Sequence, residues 1–340
     1  MKSYRLHNFT GTDDLRMQDE DQPTPQRGEV LIRVRAISLN FRDIAILRDQ
    51  YPAPHLKGLI PTSDGAGEVV AVGPGVDDFN VGDRVMGTFQ PRWYAGRMPA
   101  NLGQYHYGSA VDGWLVENKV VNQESLVRIP DNLSYEEAAT LPCAALTAWS
   151  ALTEGTPIRS GDSVLVQGTG GVSIFALQLA KAAGAFVIAT TSSAEKAARL
   201  RALGADEVVN YKEQPRWGER VRGLSQGRGV DRVVEVGGPG TIAESLRAVR
   251  PGGEIALIGF VSPDGPGIDF FDLFMSGATL RHIAVGSREG LRNAARAIEM
   301  ADIKPVIDRV FAFEDAKAAF AHLDKGLHVG KVVIRGPQTY

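Results

Sequence analysis

Val164-Leu165-Val166-Gln167-Gly168-Thr169-Gly170-Gly171-Val172-Ser173 runs from an apolar, β-branched strand pattern through glycines into the helix-forming stretch Ile174-Phe175-Ala176-Leu177-Gln178-Leu179-Ala180-Lys181. A strand that turns tightly into a helix leaves the first backbone N–H groups of the helix without partners, and the helix dipole favours negative charge there. Gly168 and Gly170 allow the turn and the close approach of a pyrophosphate, and Gly171 and Val172 open the helix. The pattern is that of a dinucleotide-binding turn. Ser173 stands where a third glycine ordinarily lets helix and strand pack closely, a need that a small serine meets with slight displacement.

Outward from this turn, residues 132–284 alternate short apolar runs with helix-length amphipathic stretches, which predicts an α/β unit built on a parallel sheet. Strands are expected at 163–167, 186–190, 207–210, 232–236, 254–258 and 279–284, with helices opening near Gly171, Ala194, Trp217 and Thr241. Six such strands suit a doubly wound fold. The first 125 residues instead carry short β-branched segments separated by Gly, Pro and Asp turns, the texture of a mostly β domain. After Gly286 come a helical stretch at 291–300, an extended segment at 306–313, a helix at 315–323 and a strand at 331–334. A closed six-stranded sheet has little use for them, so they are expected to return to the first domain. The expected division is 1–130, 131–286 and 287–340.

With 340 residues, 44% hydrophobic and 23% charged, the chain can bury two cores, and its net charge of −3 offers nothing to a polyanion or an acidic membrane. No nucleic-acid or membrane partner is expected. Cys143 is the only cysteine, which excludes an internal disulfide and any site built from several thiolates. No apolar run reaches the ~20 residues that span a bilayer, and Met1-Lys2-Ser3-Tyr4-Arg5-Leu6-His7 lacks the apolar stretch of a secretory signal. A cytoplasmic setting is the expectation.

The end of the second strand, Val187-Ile188-Ala189-Thr190-Thr191-Ser192-Ser193, selects the dinucleotide. An acid there would bind the adenosine ribose of NAD and repel the extra phosphate of NADP. Thr191 and Ser192 do neither, while Lys196 and Tyr211 are a cation and a phenol placed to contact a 2′-phosphate. The alternative is a solvated helix lysine and a strand-end packing tyrosine. NADP(H) is the expected cofactor, with dual use of NAD(H) the competing reading.

The whole chain resembles the medium-chain dehydrogenase/reductase superfamily, in its zinc-free quinone-oxidoreductase-like branch. The resemblance rests on Leu39-Asn40-Phe41-Arg42-Asp43, Pro61-Thr62-Ser63-Asp64-Gly65-Ala66-Gly67-Glu68-Val69-Val70-Ala71-Val72-Gly73, Val81-Gly82-Asp83-Arg84-Val85, Glu137-Ala138-Ala139-Thr140-Leu141-Pro142, Leu146-Thr147-Ala148-Trp149 and Gly330-Lys331-Val332-Val333, in that order. It implies a GroES-like β domain, a Rossmann domain, and an active site in the cleft between them. It also implies that Thr147 supports the nicotinamide ring and that Gly237 and Lys331 join Asn40 among the cofactor contacts.

Zinc-dependent members hold their catalytic metal with Cys, His and Cys. Here Asn40 and Ser63 take the first two places and only Cys143 keeps its kind, as a small residue of the interior. The four-cysteine lobe of those members is replaced by Gln90-Pro91-Arg92-Trp93-Tyr94-Ala95-Gly96, and the six histidines are scattered, so no metal site is expected. The aromatic-rich insertion from Trp93 to Trp114 is expected to cover or shape the pocket.

Without a Lewis acid, alcohol oxidation loses its usual support, whereas reduction of a conjugated alkene needs only hydrogen-bond donors and a proton source. Asn40 is then a candidate orienting residue that donates to substrate and accepts from cofactor. Tyr51, eleven residues on, is spaced like the proposed proton donor of related zinc-free enoyl reductases, and the alternative for it is loop packing ahead of Pro52. The readings are an NADP(H)-dependent reductase of enones, quinones or related alkenes, an alcohol/carbonyl oxidoreductase, and a non-catalytic cofactor-binding protein of the lens-crystallin kind. The strand at 279–284 would leave an unpaired sheet edge, which relatives pair across a two-fold axis, so a homodimer is expected, with a covering loop as the alternative.

Overall fold

Val30, Ile32, Val34, Ile37 and Leu39 are buried along one long strand, and the first half of the chain is organised around it. The computed structural model describes residues 1–337. In it the chain divides into one unit made of Met1–Leu146 with the chain from Gly286 onward, and another made of Thr147–Val285.

In the first unit β1 (Lys2–Arg5) pairs with β2 (Arg16–Asp19), and β3 (Glu29–Leu39) leads through Asn40 into the short helix α1 (Phe41–Leu47). β4 (Asp64–Val72), β5 (Arg84–Gly87), β6 (Asn118–Asn122) and β7 (Leu126–Arg128) follow, and α2 (Tyr135–Ala138) starts on Ser134, whose side chain accepts from the Glu137 N–H. The 93–114 insertion delivers Trp114 into the core, fully buried. Its ring occupies space that Gly65 and Gly87 leave open: a Cβ on either would approach it to 2.4 and 2.0 Å. These strand glycines mark a close approach that no other residue permits.

The second unit begins within α3 (Leu146–Thr153) and continues as β8 (Ser163–Gln167), α4 (Gly171–Ala182), β9 (Phe186–Thr191), α5 (Ala194–Ala202), β10 (Glu207–Asn210) and α6 (Trp217–Leu224). β11 (Val230–Glu235), α7 (Ile242–Ala248), β12 (Val249–Leu257), α8 (Phe270–Ser276) and β13 (Thr279–His282) complete it. Its six strands are parallel and ordered β10-β9-β8-β11-β12-β13, the doubly wound arrangement expected. The order reverses between β8 and β11, and ligands of such sheets bind at the carboxyl ends of the strands at that point. β12 starts five residues before the expected 254, because Val249 pairs with Val230 across an irregularity in register. The phenylalanine-rich α8, ended by Gly277 in the left-handed conformation, was not anticipated.

From Ser287, which caps α9 (Arg288–Met300), the chain re-enters the first unit. Leu291, Ala294, Ala295 and Ile298 recur at helical spacing and are the buried face of α9. β14 (Ile307–Phe311), α10 (Ala316–Asp324) and β15 (Lys331–Arg335) follow, giving a seven-stranded sheet in which β14-β15-β3-β4-β5-β7 are neighbours and β6 also pairs with β3. The division falls at Leu146/Thr147, later than the expected 130/131. Residues 131–146 stay with the first unit because α2 packs on β3 and β4 and the Cys143 N–H donates to Asp64 at 3.1 Å. No helix among the described residues is long and apolar enough to cross a membrane.

Candidate functional site

At the turn after β8, Gly168 has φ +74°, a conformation that a side chain would strain, and a Cβ at Gly168 or Gly170 would meet nothing within 4 Å. Gly170 is the N-cap of α4, and Gly171 and Val172 are its first two residues. The Gly168 N–H donates to the Thr190 carbonyl at 2.9 Å, which fixes the turn, and the space beside Gly168 and Gly170 is open at a helix N-terminus, which fits a pyrophosphate. Ser173 does more than tolerate the missing glycine: its hydroxyl donates to the Gln167 carbonyl at 2.6 Å and ties α4 back to β8.

No acid ends β9. Thr191 is buried with its hydroxyl oxygen lacking a hydrogen-bond partner, and Ser192 is half-buried. The Thr191 carbonyl accepts from the Tyr211 N–H at 3.0 Å, which sets the 41%-exposed Tyr211 beside the strand end. Ser193 caps α5 by accepting from the Lys196 N–H at 3.3 Å, so half-buried Lys196 lies one turn in. Thr191, Ser192, Lys196 and Tyr211 thus lie about the end of β9, a strand that no acid ends, with exposed Glu195 beside Lys196 in the first turn of α5.

Across the switch point, Glu235 at the end of β11 is wholly buried and accepts from Gln167 Nε2 at 2.7 Å, the N–H groups of Gly237 at 2.8 Å and Gly238 at 2.9 Å, Thr241 Oγ1 at 2.5 Å, and Ser245 Oγ. Gln167 Oε1 in turn accepts from the Val236 and Gly237 N–H groups. One carboxylate therefore fixes the loop carrying Gly237 against the residue that precedes Gly168. Sequence reasoning found Gly237 but not Glu235, since an acid inside a strand pattern looks like an ordinary edge residue. Thr147 is buried in α3 of this unit.

In the first unit, the Asn40 amide is engaged at both ends. Its Oδ1 accepts from the Lys331 ammonium, and its Nδ2 donates to Asp64 at 3.0 Å and to Ser63 Oγ at 3.4 Å. The Asp43 carboxylate accepts from the Asn40 N–H at 2.8 Å. Lys331, expected as a cofactor contact, is buried and also donates to the Leu39 carbonyl at 2.6 Å. Its role in the structure is to neutralise this cluster, an assignment set by the pairing of β15 with β3. Burial pulls Lys331 below its ordinary range, against the opposing pull of Asp64; burial raises Asp64, and lifts Asp43 to about 6.

The same cluster tests the metal that the zinc-dependent relatives of such a fold would hold. Desolvation, then the Asp64 charge, push the Cys143 thiol up, so it keeps its proton. Asn40 and Ser63 bond each other and Asp64, and among the described residues no three His, Cys, Asp or Glu side chains come together to hold a metal ion. A neutral amide and a hydroxyl beside a single thiol do not fit a zinc ion, which takes thiolates and imidazole.

Tyr51 is half-buried against the core of the first unit, and the Arg42 guanidinium sits 5.0 Å from its ring centroid. Arg42 is 6% exposed and lies 5.0 Å from the Phe89 ring as well. His106 packs on Phe89 at 5.4 Å and meets Gln90 at 2.9 Å; burial first, and Arg42 second, lower its pKa to about 4, so it is neutral. Arg42 belongs to a stretch singled out in the sequence, yet nothing there distinguishes a buried arginine from a solvated one.

Two family descriptions match: an alcohol dehydrogenase GroES-like domain over residues 26–131 and a zinc-binding dehydrogenase over residues 171–300. A zinc-type alcohol dehydrogenase-like protein of Schizosaccharomyces pombe is 39% identical over 98% of both chains. A quinone oxidoreductase of Pseudomonas aeruginosa is 32% identical over 98% of this chain and 99% of its own. Among solved structures, a mycobacterial protein complexed with NADPH superposes with a TM-score of 0.83 at 31% identity, over 98% of this chain and 99% of that one.

Proposed function

The chain belongs to the medium-chain dehydrogenase/reductase superfamily and is an NAD(P)-dependent oxidoreductase, and from that premise we propose that it reduces activated alkenes, such as enones or quinones, with NADP(H) preferred and without zinc. The observation that carries this reading is the state of the three positions where zinc-dependent relatives hold their metal. Asn40 is tied to Asp64, Ser63 and Lys331, Ser63 is tied to Asp64, and Cys143 is the one thiol left. With no Lewis acid to acidify an alcohol, the reaction that these groups can support is the one that needs only a proton and hydrogen bonds.

Reduced nicotinamide, when bound, would supply the hydride that the β-carbon of the alkene receives. The π pair then moves onto the α-carbon and the conjugated carbonyl oxygen. Tyr51 donates its hydroxyl proton to the α-carbon and recovers one from solvent, so the alkene gains one hydride and one proton. The Gly168–Gly170 turn would hold the pyrophosphate, with Gly171, Val172 and Gly237 beside it, and Lys196 and Tyr211 would receive the 2′-phosphate. Thr147 would support the nicotinamide. In this reading Asn40 acts through Lys331 and Asp64 as an orienting residue.

The protein is further proposed to work as a homodimer in the cytoplasm. Among the described residues β13 ends the six-stranded sheet with one edge unpaired, and α8 just before it presents Phe270, Phe271, Phe274 and Met275 at 69–75% exposure. An open strand edge beside an exposed apolar patch is a surface that proteins ordinarily cover.

A panel of enones, quinones, aldehydes and alcohols tests the reading, run with NADPH and NADH on protein dialysed against a chelator. Turnover of enones or quinones with NADPH, undiminished by the chelator, is expected. Activity confined to alcohols and aldehydes and lost on chelation would replace the proposal with the alcohol-dehydrogenase reading that the yeast relative's name suggests.

A further inference from the structure

Arg42 is a buried cation whose donors are only partly paired. Its Nη1 donates to the Tyr107 carbonyl at 3.1 Å and to the Asp43 carboxylate at 3.2 Å. Its Nε and Nη2 are buried and, among the described residues, make no hydrogen bond of ordinary geometry, the Tyr51 phenol being the other side chain that interacts with the guanidinium. Those two N–H groups share one edge of the planar guanidinium, the edge that receives oxygen side-on. His106 Nδ1 and Gln90 Oε1, in the same neighbourhood, are also buried without partners. A buried donor left unpaired on a charged group is costly relative to a paired one. Buried polar groups are ordinarily satisfied, so this concentration asks for an explanation. Packing between aromatic rings does not provide one, because an apolar side chain would fill the space at no such cost.

The surroundings say what the edge faces. The guanidinium stands beside the Tyr51 phenol and within electrostatic reach of Cys143, the residue in the third metal-ligand place of zinc-dependent relatives. Tyr51, Cys143 and His106 are the partly exposed side chains of this neighbourhood, while Phe89, Gln90 and Asp43 are buried. An oxygen arriving from that side meets phenol and guanidinium together, once the half-buried Tyr51 side chain shifts from the enclosed edge.

We infer that the Nε–Nη2 edge of Arg42 receives the conjugated carbonyl oxygen of the substrate and stabilises the negative charge that builds there as the β-carbon is reduced. The inference rests on the alkene-reductase reading and adds the residue that receives the conjugated carbonyl of its substrate. A fixed cation with two aimed donors then supplies the electrophile that the substituted metal positions cannot.

The test is the infrared difference spectrum of cyclohex-2-enone, unlabelled and carbonyl-13C, bound with NADP+ to the wild type and to Arg42→Met. The carbonyl band should move to lower wavenumber in the wild type and stay near its unbound position in the variant. An equal shift in both, or none in the wild type, overturns the inference. If Arg42→Met does not fold, Arg42→Lys keeps the charge and loses the fork. Its kcat should fall by roughly 10²-fold with NADPH affinity unchanged, and an unaltered kcat would overturn the inference. Tyr51→Phe separates the two readings. Full turnover in that variant removes Tyr51 as proton donor, while the band shift still decides Arg42. An Arg42-dependent shift in a protein that reduces no enone keeps the oxygen site and removes the proposed reaction.

Discussion

Lys331 donates to the side-chain oxygen of Asn40, a residue 291 positions away, and both are buried. The contact holds the amide with its NH2 toward Asp64 and its oxygen toward a cation, so the Asn40 amide has one orientation. Lys331→Met leaves the Leu39 carbonyl and Asn40 oxygen without a donor and Asp64 without its cation. It should cost roughly 3–5 kcal/mol, and Asn40→Ala about 1–3 kcal/mol. The double variant should lose less than the sum of the two in denaturant titrations. Additivity within about 0.5 kcal/mol would show that the residues act independently.

At the end of β9, Lys196→Ala should weaken NADPH binding far more than NADH binding, since only the former carries a 2′-phosphate. Fluorescence titration with both cofactors reads the difference. Equal losses would make Lys196 a solvated helix residue and remove it from cofactor selection.

Light scattering at micromolar concentration should give the mass of a dimer, and Phe274→Glu, on the exposed face of α8, should give that of a monomer. A monomeric wild type would leave the β13 edge and the α8 patch without the partner assigned to them.

The fork between Arg5 and Glu20, with Nε–Oε1 at 2.7 Å and Nη2–Oε2 at 2.8 Å, gives a pH dependence. The Arg5 hydrogen bond first, and then Ser3 and Gln18, outweigh burial and lower Glu20 to about 2. A carboxyl depressed in the folded state stabilises above its unfolded pKa and loses that contribution as pH falls through the folded one. Glu20→Gln should therefore be about 1–2 kcal/mol less stable than the wild type at pH 7. The two should converge as pH falls from about 4.5 toward 2. A difference that persists at the acid end would assign the effect to packing.

The legible parts of this chain are those encoded locally. A strand, its glycine turn and the following helix are contiguous, so β8, β10 and the start of α4 lie where the apolar runs and glycines place them. The absence of an acid after β9 is equally local. The polar cluster of the first unit is different, because β15 joins β3 only through tertiary pairing, and that pairing makes Lys331 a partner of Asn40. Sequence reading therefore leaves the Asn40 amide available to ligands, whereas the fold engages both its ends. Arg42 and Glu235 were overlooked for one physical reason: charged side chains signal solvent in a sequence, and only packing reveals that one is enclosed with donors only partly paired and the other satisfied by five of them.

The central claim is that hydride reaches the alkene carbon and not the carbonyl carbon, and the fate of a label reads it directly. Chelator-treated protein is given NADPH deuterated at the transferable position of the dihydronicotinamide, together with cyclohex-2-enone, and the product is examined by NMR. The account predicts cyclohexanone with deuterium on the former β-carbon; an allylic alcohol with deuterium on the carbinol carbon would contradict it.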